Sequence, residues 1–182
     1  MATGKQHYSY NHIHNLIAHS VPEFAHAPDV LVAISGGGLI PARILRTLLK
    51  KRFGVTVPIR VVGLQLYDDD AEEISAEGVK RTQWPSAHEW GLSIKNALIV
   101  DEVDDTRTTL QYAYEHLRKD LAQDVTISVF VVHDKKKKKR GELPSDVRYI
   151  AAAHVDDLWI AYPWDAIDID DHEKRAAEQG LA

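Results

Sequence analysis

The run Ala97-Leu98-Ile99-Val100-Asp101-Glu102-Val103-Asp104-Asp105-Thr106-Arg107-Thr108-Thr109 constrains this chain more than any other segment. Apolar residues lead straight into four carboxylates, and hydroxyls follow where a helical pattern opens, Leu110 to Leu117. Such a run reads as a buried strand whose end delivers acids and a helix N-terminus to one point. In an open α/β sheet, ligands bind outside the carboxyl ends of the strands. Free backbone N–H groups and the helix dipole suit a phosphate there, and Thr106, Thr108 and Thr109 add hydroxyl donors. Carboxylates repel phosphate, so they should face sugar hydroxyls, a divalent cation or a developing positive charge. A sugar phosphate with a metal-bound leaving group meets all of these demands. The plainer alternative is a solvated acidic turn followed by a threonine N-cap, but the coincidence of strand, acids and threonines weighs against it.

The remaining pattern supplies a frame for that point. Ile13, Leu16, Ile17 and Val21 have helical spacing within 9–25, with Ser9 or Asn11 able to cap the helix. Val30 to Ile34 reads as a buried strand, Gly36 to Gly38 as a turn, and Pro41 as the start of a helix carrying Ile44, Leu45, Leu48 and Leu49. Strands are expected at 59–66, 125–132 and 148–152, and a C-terminal helix at 171–179. The order of elements predicts an α/β fold, a central parallel β-sheet flanked by helices on both faces. No repeat or linker divides the chain, so 1–182 is expected to form one domain. The long acidic stretch 67–90 is poorly periodic, and a loop of that length is usually functional or mobile.

Composition narrows the class. There is no cysteine, which removes disulfides, thiolate metal sites and cysteine nucleophiles. The net charge of −5 argues against general nucleic-acid binding. No stretch reaches the roughly 18 apolar residues of a membrane span, and no signal peptide is visible. A cytoplasmic protein without a membrane partner is therefore expected.

The central segment resembles the phosphoribosyl-pyrophosphate signature of the type I phosphoribosyltransferases, and Asp101 to Thr109 is most similar to their fungal purine-salvage branch. The resemblance extends over nearly the whole chain through Tyr8-Ser9-Tyr10-Asn11, Ile34 to Arg43, Arg81-Thr82-Gln83-Trp84 and Ala161-Tyr162-Pro163-Trp164-Asp165. It implies the type I phosphoribosyltransferase fold, with a small hood made from the terminal segments. It also implies transfer of ribose 5-phosphate from phosphoribosyl pyrophosphate to a 6-oxopurine, with Mg²⁺ as cofactor. The products would be a nucleoside 5′-monophosphate and pyrophosphate. Xanthine and guanine are the first expected bases, because 128–144 and 162–166 look most like the fungal xanthine enzymes; hypoxanthine follows. The family commonly forms homodimers.

The resemblance also distributes roles among residues. Asp101 and Glu102 match the acid pair facing the ribose hydroxyls, directly or through Mg²⁺, and Asp165 matches an acid that contacts the metal through water. Asp105 matches the carboxylate beside the purine five-membered ring, where it exchanges a proton at N7. Asp105, Thr106, Arg107, Thr108 and Thr109 match the 5′-phosphate loop. Ser35, Gly36 and Gly37 match the pyrophosphate loop, where glycine permits close backbone approach. A cis peptide bond, frequent in the family, would fall at Ser35–Gly36. Lys135, or its neighbour Lys136, matches the donor to the 6-oxo group; adenine's amino group offers no acceptor there. Trp159 matches an aromatic that stacks on the base, and Ile160 supplies backbone groups to its 2-position edge. Three positions depart from the common pattern. Glu102 stands where aspartate is usual, Arg107 where glycine is usual, and Gly36 where many relatives have a basic residue. Arg43 and the mobile-loop pair Lys80 and Arg81 are candidates for meeting the pyrophosphate charge instead. Arg107 is a candidate for a phosphate contact of its own.

Lys135 to Arg140 is a dense cationic run. A solvated loop, with one end serving the base pocket, is the expected reading. The rival is a non-catalytic regulator that senses phosphoribosyl pyrophosphate or purines and binds nucleic acid through this run. No recognisable DNA-binding module accompanies it, and Asp105, Lys135 and Trp159 together fit catalysis better. The ten histidines show no metal-ligand spacing.

Overall fold

The computed structural model describes residues 4–68, 73–74, 78–91 and 93–182. In chain order the elements are β1 (Lys5–His7), α1 (Tyr10–Ser20), β2 (Val30–Ser35), α2 (Leu39–Phe53), β3 (Ile59–Gln65), β4 (Tyr67–Asp68), β5 (Glu73–Ile74), β6 (Lys80–Gln83), α3 (Ala87–Trp90), β7 (Asn96–Asp104), α4 (Thr108–Asp120), β8 (Thr126–Lys135), β9 (Tyr149–Val155), β10 (Trp159–Ala161) and α5 (Ile169–Glu178). Single 3₁₀ turns lie at Val21–Glu23 and Pro163–Asp165.

The main sheet has the order β6-β3-β2-β7-β8-β9. All its pairings are parallel except that of β6, which runs antiparallel along β3 at the edge. Within the strands, alternate side chains enter two different cores. Leu31, Ala33, Leu98, Val100, Phe130 and Val132 pack with α1 and α2. Val30, Val32, Ile34, Ala97, Ile99, Val129 and Val131 pack with Leu110, Ala113 and Leu117 of α4. A sheet covered on both faces explains why its strands read as unbroken apolar runs rather than alternating ones.

Ser9 caps α1, its hydroxyl accepting from the His12 N–H at 2.9 Å. The helix ends at Ser20, before Pro22, rather than continuing to residue 25. The terminal segments form the expected hood: β1 pairs in parallel with β10, and α5 lies against β1. His172 of α5 sits within hydrogen-bond distance of the Tyr8 carbonyl, at 3.0 Å. This places Trp159 and Ile160 opposite Lys5 and Gln6, a pairing of the two chain ends.

Two elements differ from expectation. β8 continues past Val132 through Lys135, because Val103 and Asp104 of the signature strand extend far enough to pair with His133 and Asp134. Lys80 and Arg81, expected on a mobile loop, lie on the edge strand β6 beside Gln65 and Leu64. All of β6 is exposed, so its backbone pairing leaves no apolar pattern to read. The parts of that expected loop at 69–72 and 75–77 lie outside the described residues.

Candidate active site

The carboxyl ends of β2, β3 and β7 and the start of α4 enclose a cavity of about 350 Å³. Its lining includes Ser35, Gly36, Gly37, Leu64, Gln65, Leu66, Asp101 to Arg107, and Thr109. The central signature and the glycine loop, 60 or more positions apart along the chain, thus share one space because β2 and β7 are neighbours. The Ser35–Gly36 peptide is cis. A Cβ on Gly37 would fall 1.9 Å from the Glu102 carboxyl carbon, so glycine lets the loop lie against that acid with its carboxylate in this position.

The carboxylates divide by their partners. Glu102 Oε2 accepts from the Trp164 indole N–H at 2.8 Å, and Asp101 Oδ1 accepts from the Glu102 N–H at 2.8 Å. Burial raises the Asp101 carboxyl well above its usual range, and the neighbouring Glu102 adds to the effect. Burial likewise pushes Glu102 up to about 7, against the opposing Trp164 hydrogen bond and with help from Asp165. Asp165 is itself raised, by burial. Among the described residues, no ion pair reaches Asp101, Glu102 or Asp165. Raised carboxyls without a protein cation are what a hard divalent ion would relieve. No group of three or more acidic or histidine side chains among the described residues forms a complete cage. Mg²⁺ takes one or two carboxylates and fills its remaining positions with waters and substrate oxygens, a donor set that Asp101 and Glu102 would supply.

Asp104 and Asp105 are the opposite case. Asp104 is buried against Arg107, whose Nε and Nη2 lie 2.8 and 2.7 Å from its Oδ2, and it also accepts from the Tyr149 hydroxyl at 2.8 Å. Arg107 has a left-handed backbone, φ 65°, where a glycine would be unstrained. Its guanidinium lies over the Tyr149 ring, 4.9 Å from the centroid. Arg107 is the only cation among the described cavity-lining residues, and its charge is committed to Asp104.

Asp105 faces the lysine run. Lys137 Nζ is 2.7 Å and Lys135 Nζ 3.5 Å from its Oδ1. Burial alone would raise Asp105, but the Lys137 hydrogen bond and the two lysine charges outweigh it and hold the carboxyl below its usual range. Asp157 closes the group, 2.9 Å from Lys137 and 3.9 Å from Lys135. The run is therefore not a simple solvated loop. Lys135, Lys137 and Lys139 turn inward, while Lys136, Lys138 and Arg140 are exposed. Only Lys135 belongs to β8; beyond it the chain bends, with the Lys136 N–H donating to the Val155 carbonyl and the Lys137 N–H to the Lys135 carbonyl, and this irregular path turns alternate lysines inward. Five identical side chains in sequence carry no sign of such alternation.

The other candidates are placed as follows. Trp159 is 62% exposed on β10, an open aromatic face, and Ile160 beside it is buried. Neither they nor Lys135 line the cavity; Asp105 links the two regions. Arg43 is exposed on α2, outside the lining, and donates to Thr47 Oγ1 at 2.6 Å. Arg81 lies over the Trp84 ring at 5.3 Å, also outside the lining. Sequence reasoning missed Lys137, Asp157, Lys139, Tyr149 and the bonding role of Trp164, all of which act by long-range contact.

The chain is similar to known proteins over nearly its whole length. A family model described as "Phosphoribosyl transferase domain" matches residues 4–165. A hypoxanthine-guanine phosphoribosyltransferase of Schizosaccharomyces pombe is 43% identical over 96% of this chain and 95% of its own. A xanthine phosphoribosyltransferase of Saccharomyces cerevisiae is 43% identical over 99% of both chains. A crystal structure of a hypothetical protein from Neisseria gonorrhoeae with bound ppGpp superposes with a TM-score of 0.79 at 36% identity, over 98% of this chain and 99% of that one. With a family model spanning most of the chain and fungal relatives aligned over nearly their full lengths, the chain belongs to the phosphoribosyl transferase family.

Proposed function

We propose that this enzyme transfers ribose 5-phosphate from phosphoribosyl pyrophosphate to a 6-oxopurine, giving the nucleoside 5′-monophosphate and pyrophosphate. One observation carries the reading: Asp101 and Glu102, which no ion pair reaches among the described residues, share one cavity with the glycine loop and the α4 start, and Asp105 at its edge pairs with the same lysines as Asp157, two residues before Trp159. A polyanion entering a cavity lined by four carboxylates and one already paired arginine needs charge compensation. Glu102 and Asp101, with Asp165 nearby, would hold Mg²⁺, which would supply that charge and polarise the leaving pyrophosphate.

The protein's own groups then divide the work. Backbone N–H groups at 35–37 and the start of α4, with the hydroxyls of Thr106, Thr108 and Thr109, bind phosphate oxygens. Asp105, kept ionised by its lysines, accepts or returns the proton at purine N7. Lys135 donates to the 6-oxo group, Trp159 stacks on the ring, and the Ile160 backbone meets the 2-position edge. Xanthine and guanine are the preferred bases, with hypoxanthine next. The fungal relatives are named for these bases, and the Neisseria relative holds a guanine nucleotide bearing diphosphates. A single domain carries the activity, in a cytoplasmic homodimer. Among the described residues no helix is long and apolar enough to cross a membrane.

The test is a spectrophotometric assay with phosphoribosyl pyrophosphate, Mg²⁺ and each of xanthine, guanine, hypoxanthine and adenine. Turnover of 6-oxopurines but not adenine is expected, and omission of Mg²⁺ should abolish it. No turnover of any base by folded protein would sink the reading.

A further inference from the structure

Lys139 makes more contacts than any surface lysine needs. Its Nζ donates to three backbone carbonyls: Asp104 at 2.6 Å, Asp105 at 3.2 Å and Lys135 at 2.9 Å. It also pairs with Asp134 Oδ1 at 2.8 Å and lies 3.5 Å from Asp104 Oδ1. Only 14% of its side chain is exposed. Holding an ammonium there costs desolvation and side-chain entropy, and carbonyl and carboxylate oxygens gathered on one charge offset both. The arrangement is that of a small cation site, with the lysine's own ammonium in place of a metal.

What this charge holds is the turn between β7 and α4. Immediately after it, the N–H groups of Arg140 and Gly141 donate to the Thr106 carbonyl at 2.9 and 3.0 Å. A Cβ on Gly141 would lie 2.5 Å from the Arg107 carbonyl oxygen, so the two backbones touch. Residues 139–141 thus grip 104–107, and none of the three lines the cavity. This turn contains Arg107 in a left-handed conformation, which costs roughly 1–2 kcal/mol in a residue with a Cβ. Unsupported, such a turn would relax.

We propose that Lys139 is a positioning residue: an internal ammonium that, with the Arg140-Gly141 backbone, fixes the 104–108 turn in the shape that receives the 5′-phosphate. The proposal rests on the reading of that turn as the phosphate loop. It does not touch substrate, so its loss should appear in phosphate-bearing substrate affinity rather than in the chemical step. It also gives Lys139 a role within the fold, beside Lys135 and Lys137 at Asp105.

The experiment compares the wild type with Lys139→Met, Lys139→Arg, Gly141→Ala and the exposed control Lys138→Met. Two readouts are taken: hydrogen–deuterium exchange of 104–111 and 139–142 in the free protein, and steady-state kinetics. Lys139→Met should speed exchange in both segments and raise KM for phosphoribosyl pyrophosphate about tenfold or more, with kcat changed only about twofold. Gly141→Ala should do the same without altering charge, Lys139→Arg should restore part of the loss, and Lys138→Met should behave as wild type. Unchanged exchange and unchanged KM in Lys139→Met would overturn the proposal, as would a fall in kcat alone. If Lys139→Met does not fold, Asp134→Asn weakens the same cluster and is read by the same criteria. If the wild type lacks turnover, the functional reading fails, while the exchange data still decide whether Lys139 holds the turn.

Discussion

The indole N–H of Trp164 donates to Glu102 Oε2 at 2.8 Å, joining the C-terminal tail to the central acid cluster across 62 residues of sequence. Tyr162 reinforces this link, stacking on Trp164 with 4.7 Å between ring centroids and donating to the Glu102 carbonyl at 3.2 Å. The bond orients a carboxylate one methylene longer than the aspartate usual at this position. Trp164→Phe keeps the stack and removes the donor. A hydrogen bond to a charged group is worth about 1.5–3 kcal/mol. The apparent affinity for Mg²⁺ and phosphoribosyl pyrophosphate should therefore fall about tenfold, measured by titrating each in the kinetic assay. Wild-type affinities would show that Glu102 needs no such support.

Asp105→Asn replaces the titratable carboxylate while keeping its shape. Turnover with hypoxanthine should drop by about 10²-fold or more, with phosphoribosyl-pyrophosphate binding largely spared. Isothermal titration alongside kinetics separates the two effects. Unchanged turnover would take Asp105 out of acid–base work.

Trp159, with its face open, should matter for the base and not for the sugar phosphate. Trp159→Ala is expected to weaken purine affinity by about 1–3 kcal/mol, as base–aromatic stacking does in nucleic-acid complexes. A purine KM equal to that of the wild type would place the stack elsewhere.

Arg107→Gly sets two effects against each other. Glycine relieves about 1–2 kcal/mol of left-handed strain. It also strips a charge-assisted pair, worth about 1.5–3 kcal/mol, from buried Asp104. The pair is the larger, so the variant should lose about 1 kcal/mol in urea denaturation. A gain in stability would show that strain dominates.

His133 predicts a pH dependence. It is fully buried, 2.9 Å from the Tyr162 hydroxyl and packed on the Tyr8 ring, and burial, with His12 adding, lowers its pKa to about 3. In the unfolded chain it titrates near its ordinary value, about 6.5. Between those values the unfolded state binds more protons, so stability rises with pH. His133's contribution is complete above about pH 6.5 and is lost as pH falls toward 3. His133→Asn should flatten the stability–pH curve in that window by up to about 1.4 kcal/mol per pH unit. Curves of equal slope would count against this assignment.

Much of the molecule was legible in the chain itself. Apolar runs such as Val30 to Ile34 and Ala97 to Val100 announce buried parallel strands because both faces of the sheet are covered. The acid–threonine segment announces a ligand point because strand end and helix start are contiguous there. Local order, spacing and composition suffice for such statements, since each concerns residues within a few positions of one another.

Other features were decided only by tertiary structure. β6 carries no apolar pattern and exists through backbone pairing with β3. β1 and β10 come from opposite ends of the chain and are too short to be recognised apart. The lysine run looked uniform, yet the end of β8 and the bend after it send Lys135 and Lys137 to Asp105 and Lys139 to the 104–107 turn. Which acids keep a lysine or arginine and which stand without one likewise follows from the fold. Charge pairing depends on distance in space, and identical side chains acquire different roles only when the backbone assigns them to different sides.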